Sequence, residues 1–209
     1  MKNLLFIWSI LGVAPFWSCR QQPEGSTAKE SFNPYDSRPA LDQKSKLNGF
    51  EGNWELACTG KVQERTSERV TIQISSGAIA AKTSFYGYDS NCSGKVVWEE
   101  LATSSLVLEG PSSVVNGATN LVSTLQSIDI TPLDELAVTS YKKSEPSKTW
   151  ALNVPTKFSP PEDAKQPAYS LIKIVDGRLC LGIELDIVPS TPEMRPNSLE
   201  PPAKCGVKK

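Results

Sequence analysis

The chain has 209 residues, with 22 basic and 23 acidic side chains and no histidine. That length holds one domain plus tails, and a net charge of −1 argues against a nucleic-acid binder held by phosphate neutralisation. The lack of His removes Ser-His-Asp and Cys-His nucleophile pairs, His-ligated zinc and imidazole acid–base chemistry, so neither enzymatic activity nor a cofactor is expected.

At the N-terminus, Met1-Lys2-Asn3 gives a short positive start. Leu4 to Trp17 is then mostly apolar, 14 residues in all, before Ser18-Cys19-Arg20. A membrane-spanning helix needs roughly 20 residues, so the segment reads as a secretory signal peptide over 1–18. A cut after Ala14 would leave Pro15 just beyond it, which ordinary signal peptidases reject. A cut before Cys19 leaves Ser18, Trp17 and Phe16 in front of it. This arrangement resembles the lipobox of bacterial lipoproteins, in a relaxed form with bulky Phe16 and Trp17. The resemblance implies that Cys19 is the lipid-attachment site, acylated (palmitate included) and held at the membrane essentially irreversibly. Arg20, rather than Asp, resembles lipoproteins exported to the outer membrane. The expected location is therefore the cell envelope, lipid-anchored at the outer membrane. Plain secretion with a stray thiol, or an uncleaved anchor, are the alternatives.

Residues 19–47 are polar and aperiodic, with Asn33-Pro34, Arg38-Pro39 and Asp42-Gln43-Lys44-Ser45-Lys46, too poor in apolar area to offset ordering entropy. They read as a disordered tether of roughly 30 Å reach. The domain is expected over 48–188, where period-2 alternation recurs. Trp54, Leu56 and Cys58 share one face, and Val70, Ile72 and Ile74 alternate with polar residues. Ala80–Tyr88, Val96–Trp98, Leu106 with Leu108, Leu125–Ile130 and Leu136–Tyr141 continue the strand series, while Asn116–Gln126 is the helix-like stretch. Tyr169–Val175, Asp176-Gly177 and Arg178–Val188 form the clearest hairpin, because a type I′ turn needs positive φ at both centres. In its second strand Leu179, Leu181, Ile183 and Leu185 should point inward, leaving Cys180, Glu184 and Asp186 outside. Residues 145–167 read as a long proline-rich loop. Residues 189–209, with five prolines before Lys204-Cys205, read as an irregular tail. Eight to ten short strands make an all-β domain, a single antiparallel barrel or else a β-sandwich.

Five cysteines are an odd number for an exported chain. Lipidation of Cys19 leaves Cys58, Cys92, Cys180 and Cys205 as an even set, and an oxidising compartment favours disulfides. Of the three pairings, sequence locality favours Cys58–Cys92 and Cys180–Cys205, the second strapping the tail over the barrel wall. No Cys-x2-Cys spacing is present for a metal.

Gly52-x-Trp54, just before the first strand, resembles the Gly-x-Trp start of lipocalins and related calycin barrels. The resemblance implies that Trp54 plugs the closed end and that a late Arg packs across it, for which Arg178 is the candidate. The wider pattern, Gly-x-Trp-x3-Cys with Tyr86-x-Tyr88-Asp89-x-Asn91-Cys92, is similar to a recurrent type of bacterial secreted protein. A core Trp in any β domain is the plainer reading.

Paired carboxylates offer little. Glu99 and Glu100 are adjacent on a strand and face opposite sides; Glu162-Asp163 lies in the proline-rich loop; Glu184 and Asp186 share a face expected to meet water. Phosphate-loop, Gly-x-Ser-x-Gly and EF-hand spacings are absent from the sequence. Asn91-Cys92-Ser93 fits a glycosylation sequon that a bacterial lipoprotein would not use. Phe85, Tyr86, Tyr88, Trp98 and Tyr141 either fill a core or line a cavity. Two readings follow. One is a lipid-anchored barrel binding a small apolar or amphipathic ligand, with its ligand residues unassigned. The other is a non-enzymatic envelope protein with a solid barrel and partner-binding loops, chiefly 142–168. A protease-inhibitor-like barrel is a weaker third.

Overall fold

The computed structural model describes residue 47 and residues 49–61, 66–160, 162–183 and 188–209. The signal segment, Cys19 and nearly all of the tether lie outside these, as do Glu184, Leu185 and Asp186. The described strands are β1 (Gly52–Glu55), β2 (Thr59–Lys61), β3 (Thr66–Ser75), β4 (Ala78–Tyr86), β5 (Val96–Pro111), β6 (Thr119–Pro132), β7 (Thr156–Phe158), β8 (Ala168–Val175), β9 (Arg178–Leu181) and β10 (Gly206–Lys208). One α-helix among the described residues, α1, spans Glu135–Ser144.

Eight strands close into an antiparallel barrel in the order β1, β3, β4, β5, β6, β8, β9, β10 and back to β1. With β2 and β7 set outside on β3 and β6, each barrel strand pairs with its neighbour in sequence, so the topology is up-and-down. Closure leaves no open edge in the ring, and the sandwich alternative is not realised.

Alternation decides which residues face inward. Val70, Ile72 and Ile74 on β3, Ile79 and Ala81 on β4, Leu106 and Leu108 on β5, and Leu121, Leu125, Ile128 and Ile130 on β6 share one buried core. Leu47 joins that core. At the end where the tight β3–β4 turn lies, Trp54 is 2% exposed, and its Nε1 donates to the Phe50 carbonyl at 2.8 Å. The Lys208 ammonium stands 5.3 Å from the centre of its ring. Arg178 does not take that place. It pairs in register with Val207, and Val207 with Glu55, on the outward face, so a lysine from β10 covers Trp54 instead.

Two local expectations are reversed. Leu136–Tyr141 is helical because Asp134 caps it, its carboxylate accepting from the Leu136 N–H at 2.8 Å. Glu135 in the first turn and Lys142 and Lys143 in the last complement the helix dipole. The buried Ala137, Val138 and Tyr141 follow helical spacing. Asn116–Gln126 is instead a turn running into β6. There Gly117 takes φ +71°, and Leu121, Ser123 and Leu125 are buried in alternation.

The Asp176-Gly177 turn is as the sequence implies, with φ of 50° and 73°. The strand after it is shorter than the run to Val188. It ends at Leu181, and Ile183 is partly exposed rather than inward. At Gly182 the tail packs so closely that a Cβ would lie 2.9 Å from Pro196 Cγ and 3.0 Å from Ser170 Oγ. Gly182 bridges to Leu199, so the chain leaves the barrel wall there.

Both disulfides form, Cys58–Cys92 with a separation of 34 residues and Cys180–Cys205 with 25. Cys180 is buried, as is the outward Leu171, because the tail lies over this wall. Tyr169 N–H donates to Pro189 O at 2.9 Å, and Arg195 stacks over the Tyr169 ring at 5.0 Å while pairing with Glu109. The tail is not irregular to its end, because Gly206–Lys208 is the strand that closes the barrel.

Candidate functional site

The two ends of the barrel differ in chemistry. Around Trp54 the interior is aliphatic. Toward α1 the same inward rows carry polar groups: Glu68 precedes Val70 on β3, Thr83 follows Ala81 on β4, and Glu100 precedes Ala102 on β5. Thr83 pairs in register with both Val70 and Glu100. Residues so opposed have Cβ atoms about 4.5–5.5 Å apart, which brings the Thr83 hydroxyl beside the base of Glu100.

Glu99 and Glu100 do face opposite sides. Outward, Glu99 accepts from Lys82 Nζ at 3.0 Å and from the Ser84 hydroxyl at 3.1 Å. Inward, Glu100 is 6% exposed, and among the described residues its carboxyl has neither a hydrogen bond nor a cation. Burial first, and the charge of Glu68 second, push its pKa up to about 7, as desolvation and a like charge both disfavour the ionised form. The hydroxyls of Thr83 and Ser104 on the same interior face are fully buried without a hydrogen-bond partner. Buried polar groups left in this way cost roughly 1–3 kcal/mol each.

An aromatic wall continues the site. Phe85 stacks on Trp98 at 4.5 Å, Trp98 meets Tyr141 edge-on at 6.2 Å, Tyr141 stacks on Trp150 at 4.4 Å, and Trp150 tilts against Phe158 at 5.6 Å. Tyr141, brought in by α1, has its phenol pushed well above the usual range by burial first and by the charge of Glu100 second. Of the aromatic residues named from sequence, Phe85, Trp98 and Tyr141 converge here. Tyr86 is half-buried with the Arg69 guanidinium 6.0 Å from its ring centre, and Tyr88 is 81% exposed, so neither belongs to the core.

Sequence reading paired Glu100 with Glu99 and passed over Glu68, Thr83 and Trp150. The signal was present: Glu100 is in phase with Trp98, Ala102 and Leu106, and Glu68 with Val70, Ile72 and Ile74. A charged residue on the apolar phase of a strand is an inward residue. Glu162 opens a short 3-10 turn, and the Glu184 and Asp186 pair lies outside the described residues. The Cys58–Cys92 bond ties the segment after β1 to the β4–β5 loop, and the Cys92 N–H donates to Ser67 Oγ at 2.9 Å.

On the outer wall, a groove of about 330 Å³ is lined by Lys82, Glu99, Leu101, Asp129, Thr131 and Pro155. Among the described residues, no helix is long and apolar enough to cross a membrane, and no group of three or more acidic or thiol side chains is placed to hold a metal ion. No protein-family model matches the chain, and no curated protein matches it.

Proposed function

We propose that this is a non-enzymatic lipoprotein of the bacterial cell envelope whose lipocalin-like barrel binds a small amphipathic molecule at the end covered by α1. The observation that carries the reading is the composition of that end. Buried Glu100, unpaired Thr83 and Ser104 hydroxyls, and the Trp98–Tyr141 wall occupy positions where the other half of the barrel has aliphatic side chains. Sites for small molecules combine a mostly apolar lining with a few convergent polar groups. An eight-stranded barrel is wide enough to hold one small ligand. The Gly52-x-Trp54 start and the up-and-down topology support the likeness to lipocalins. The anchor rests on Ser18-Cys19 after the apolar segment, and the envelope location and membrane contact through lipid follow from it.

Two experiments test this. Protein purified from its native host, denatured and extracted should release a small molecule near one equivalent per chain, seen by mass spectrometry. A clean extract, together with no binding by the emptied protein, would overturn the ligand reading. Wild-type chain should take up labelled palmitate in a bacterial host, and Cys19→Ala should not; equal labelling would remove the anchor.

A second reading, a partner-binding envelope protein, is favoured by a different observation. Leu152 and Val154, in the 145–155 connection, and Leu136 on α1 are exposed, and Pro155 of the same connection borders the outer groove.

A further inference from the structure

We propose that the ligand's polar end is a protonated amine, held by the Glu100 carboxylate with Thr83 Oγ1 as a second acceptor and the Trp98 and Tyr141 rings as its walls. This deepens the ligand-binding reading and rests on it. Glu100 has 6% exposure and no cation or hydrogen-bond donor among the described residues, whereas buried carboxylates are ordinarily paired. An anionic ligand would meet the Glu100 carboxylate. A neutral donor would satisfy an oxygen but not the charge. No third acidic or thiol side chain is placed to complete a metal site among the described residues, which leaves an organic cation as the matching chemistry.

The surroundings fit such a group. Thr83 Oγ1 is unpaired, fully buried and opposite Glu100, so it can accept a second N–H of the ammonium. Ala81 and Ala102, next along the same faces and paired in register, are the smallest inward side chains beside it. Aromatic faces attract cations, more strongly where water is excluded, and Trp98 and Tyr141 meet edge-to-face at 6.2 Å. The amine competes with a proton for Glu100, whose carboxyl burial pushes up to about 7. The titratable groups facing it among the described residues are Glu68 on β3 and Tyr141 on α1.

The test is calorimetric titration of the purified full chain with three probes of one shape: phenethylammonium, 2-phenylethanol and 3-phenylpropionate. The ammonium should bind at least about tenfold more tightly than the alcohol, with the carboxylate weakest, as charge-assisted hydrogen bonds outweigh neutral ones. Its affinity should rise between pH 6 and pH 8 while that of the alcohol stays flat. Glu100→Gln should bring the ammonium-to-alcohol ratio to within about twofold, and Thr83→Val should lower it several-fold. Saturable alcohol binding with no preference for the ammonium would overturn the amine assignment and leave the ligand reading standing. Failure of all three probes would overturn both. Should Glu100→Gln fail to fold, the wild-type probe series and its pH dependence decide the matter.

Discussion

At the scale of single residues, Glu100 is a buried carboxyl on the apolar phase of β5. Its carboxyl moves from an ordinary value of 4.5 to about 7 in the folded chain, so the folded state binds this proton more tightly than the unfolded state. Its contribution is therefore most favourable at low pH and is lost progressively as pH rises from the unfolded value through about 7. Above that the charged form costs the fold roughly 3 kcal/mol. Urea melts at pH 4.5 and pH 8 should show Glu100→Gln gaining roughly 3 kcal/mol relative to wild type across that interval; a constant difference would contradict the assignment. Trp54 contributes in the opposite sense. Its 2% exposure and its bond to Phe50 O make Trp54→Ala a cavity-forming change, expected to cost about 3–5 kcal/mol in the same melt, whereas a surface Trp would cost within about 0.5 kcal/mol. Burial of Trp54 was legible in Gly52-x-Trp54. Burial of Glu100 was legible only by extending the period-2 phase of Trp98 and Ala102 through a charged residue.

At the scale of elements, what the sequence showed depended on how local the signal was. Asp176-Gly177 dictates its own turn, and the β8–β9 hairpin follows from it. The segment at Leu136–Tyr141 reads equally as an apolar strand until Asp134 and Glu135 are counted as a cap and first turn; the cap then decides for helix. β6 was obscured by its Gly117 turn and by a register irregularity opposite Thr103 and Ser104, which breaks the alternation near Gln126. The end of β9 depended on Pro196 and Leu199, many residues ahead in the chain, and no local pattern could place it. β10 is the extreme case: three residues, held by pairing to β1 and β9 and by the adjacent Cys180–Cys205 bond. Removing that bond as Cys180→Ser with Cys205→Ser should cost about 3 kcal/mol on loop-closure grounds. Amide exchange should then accelerate first in β10 and in the β1 residues paired with it; uniform acceleration across the barrel would show that β10 is not a separately opening element.

At the scale of the whole molecule, the barrel was legible as many short strands, but its closure was not. The strand completing the ring comes from a proline-rich tail with too few alternating residues to register as one. Closure produces the contrast on which the functional account turns. One end is sealed by Trp54 beneath Lys208, and the other is roofed by α1 over carboxylates, hydroxyls and aromatic rings. A lipid at Cys19, as proposed above, would hold this barrel at a membrane surface, where amphipathic molecules are concentrated. Occupancy of the α1 end by such a molecule is tested most directly by titrating the full chain with the neutral fluorophore N-phenyl-1-naphthylamine, following its emission on excitation through tryptophan. The account predicts one saturable site per chain, with transfer from Trp98 and Trp150. It also predicts affinity reduced by at least about tenfold in Ala102→Leu, where three added carbons would project into the barrel interior two residues along β5 from Glu100. Absence of saturable binding, or binding unchanged in folded Ala102→Leu, would contradict it.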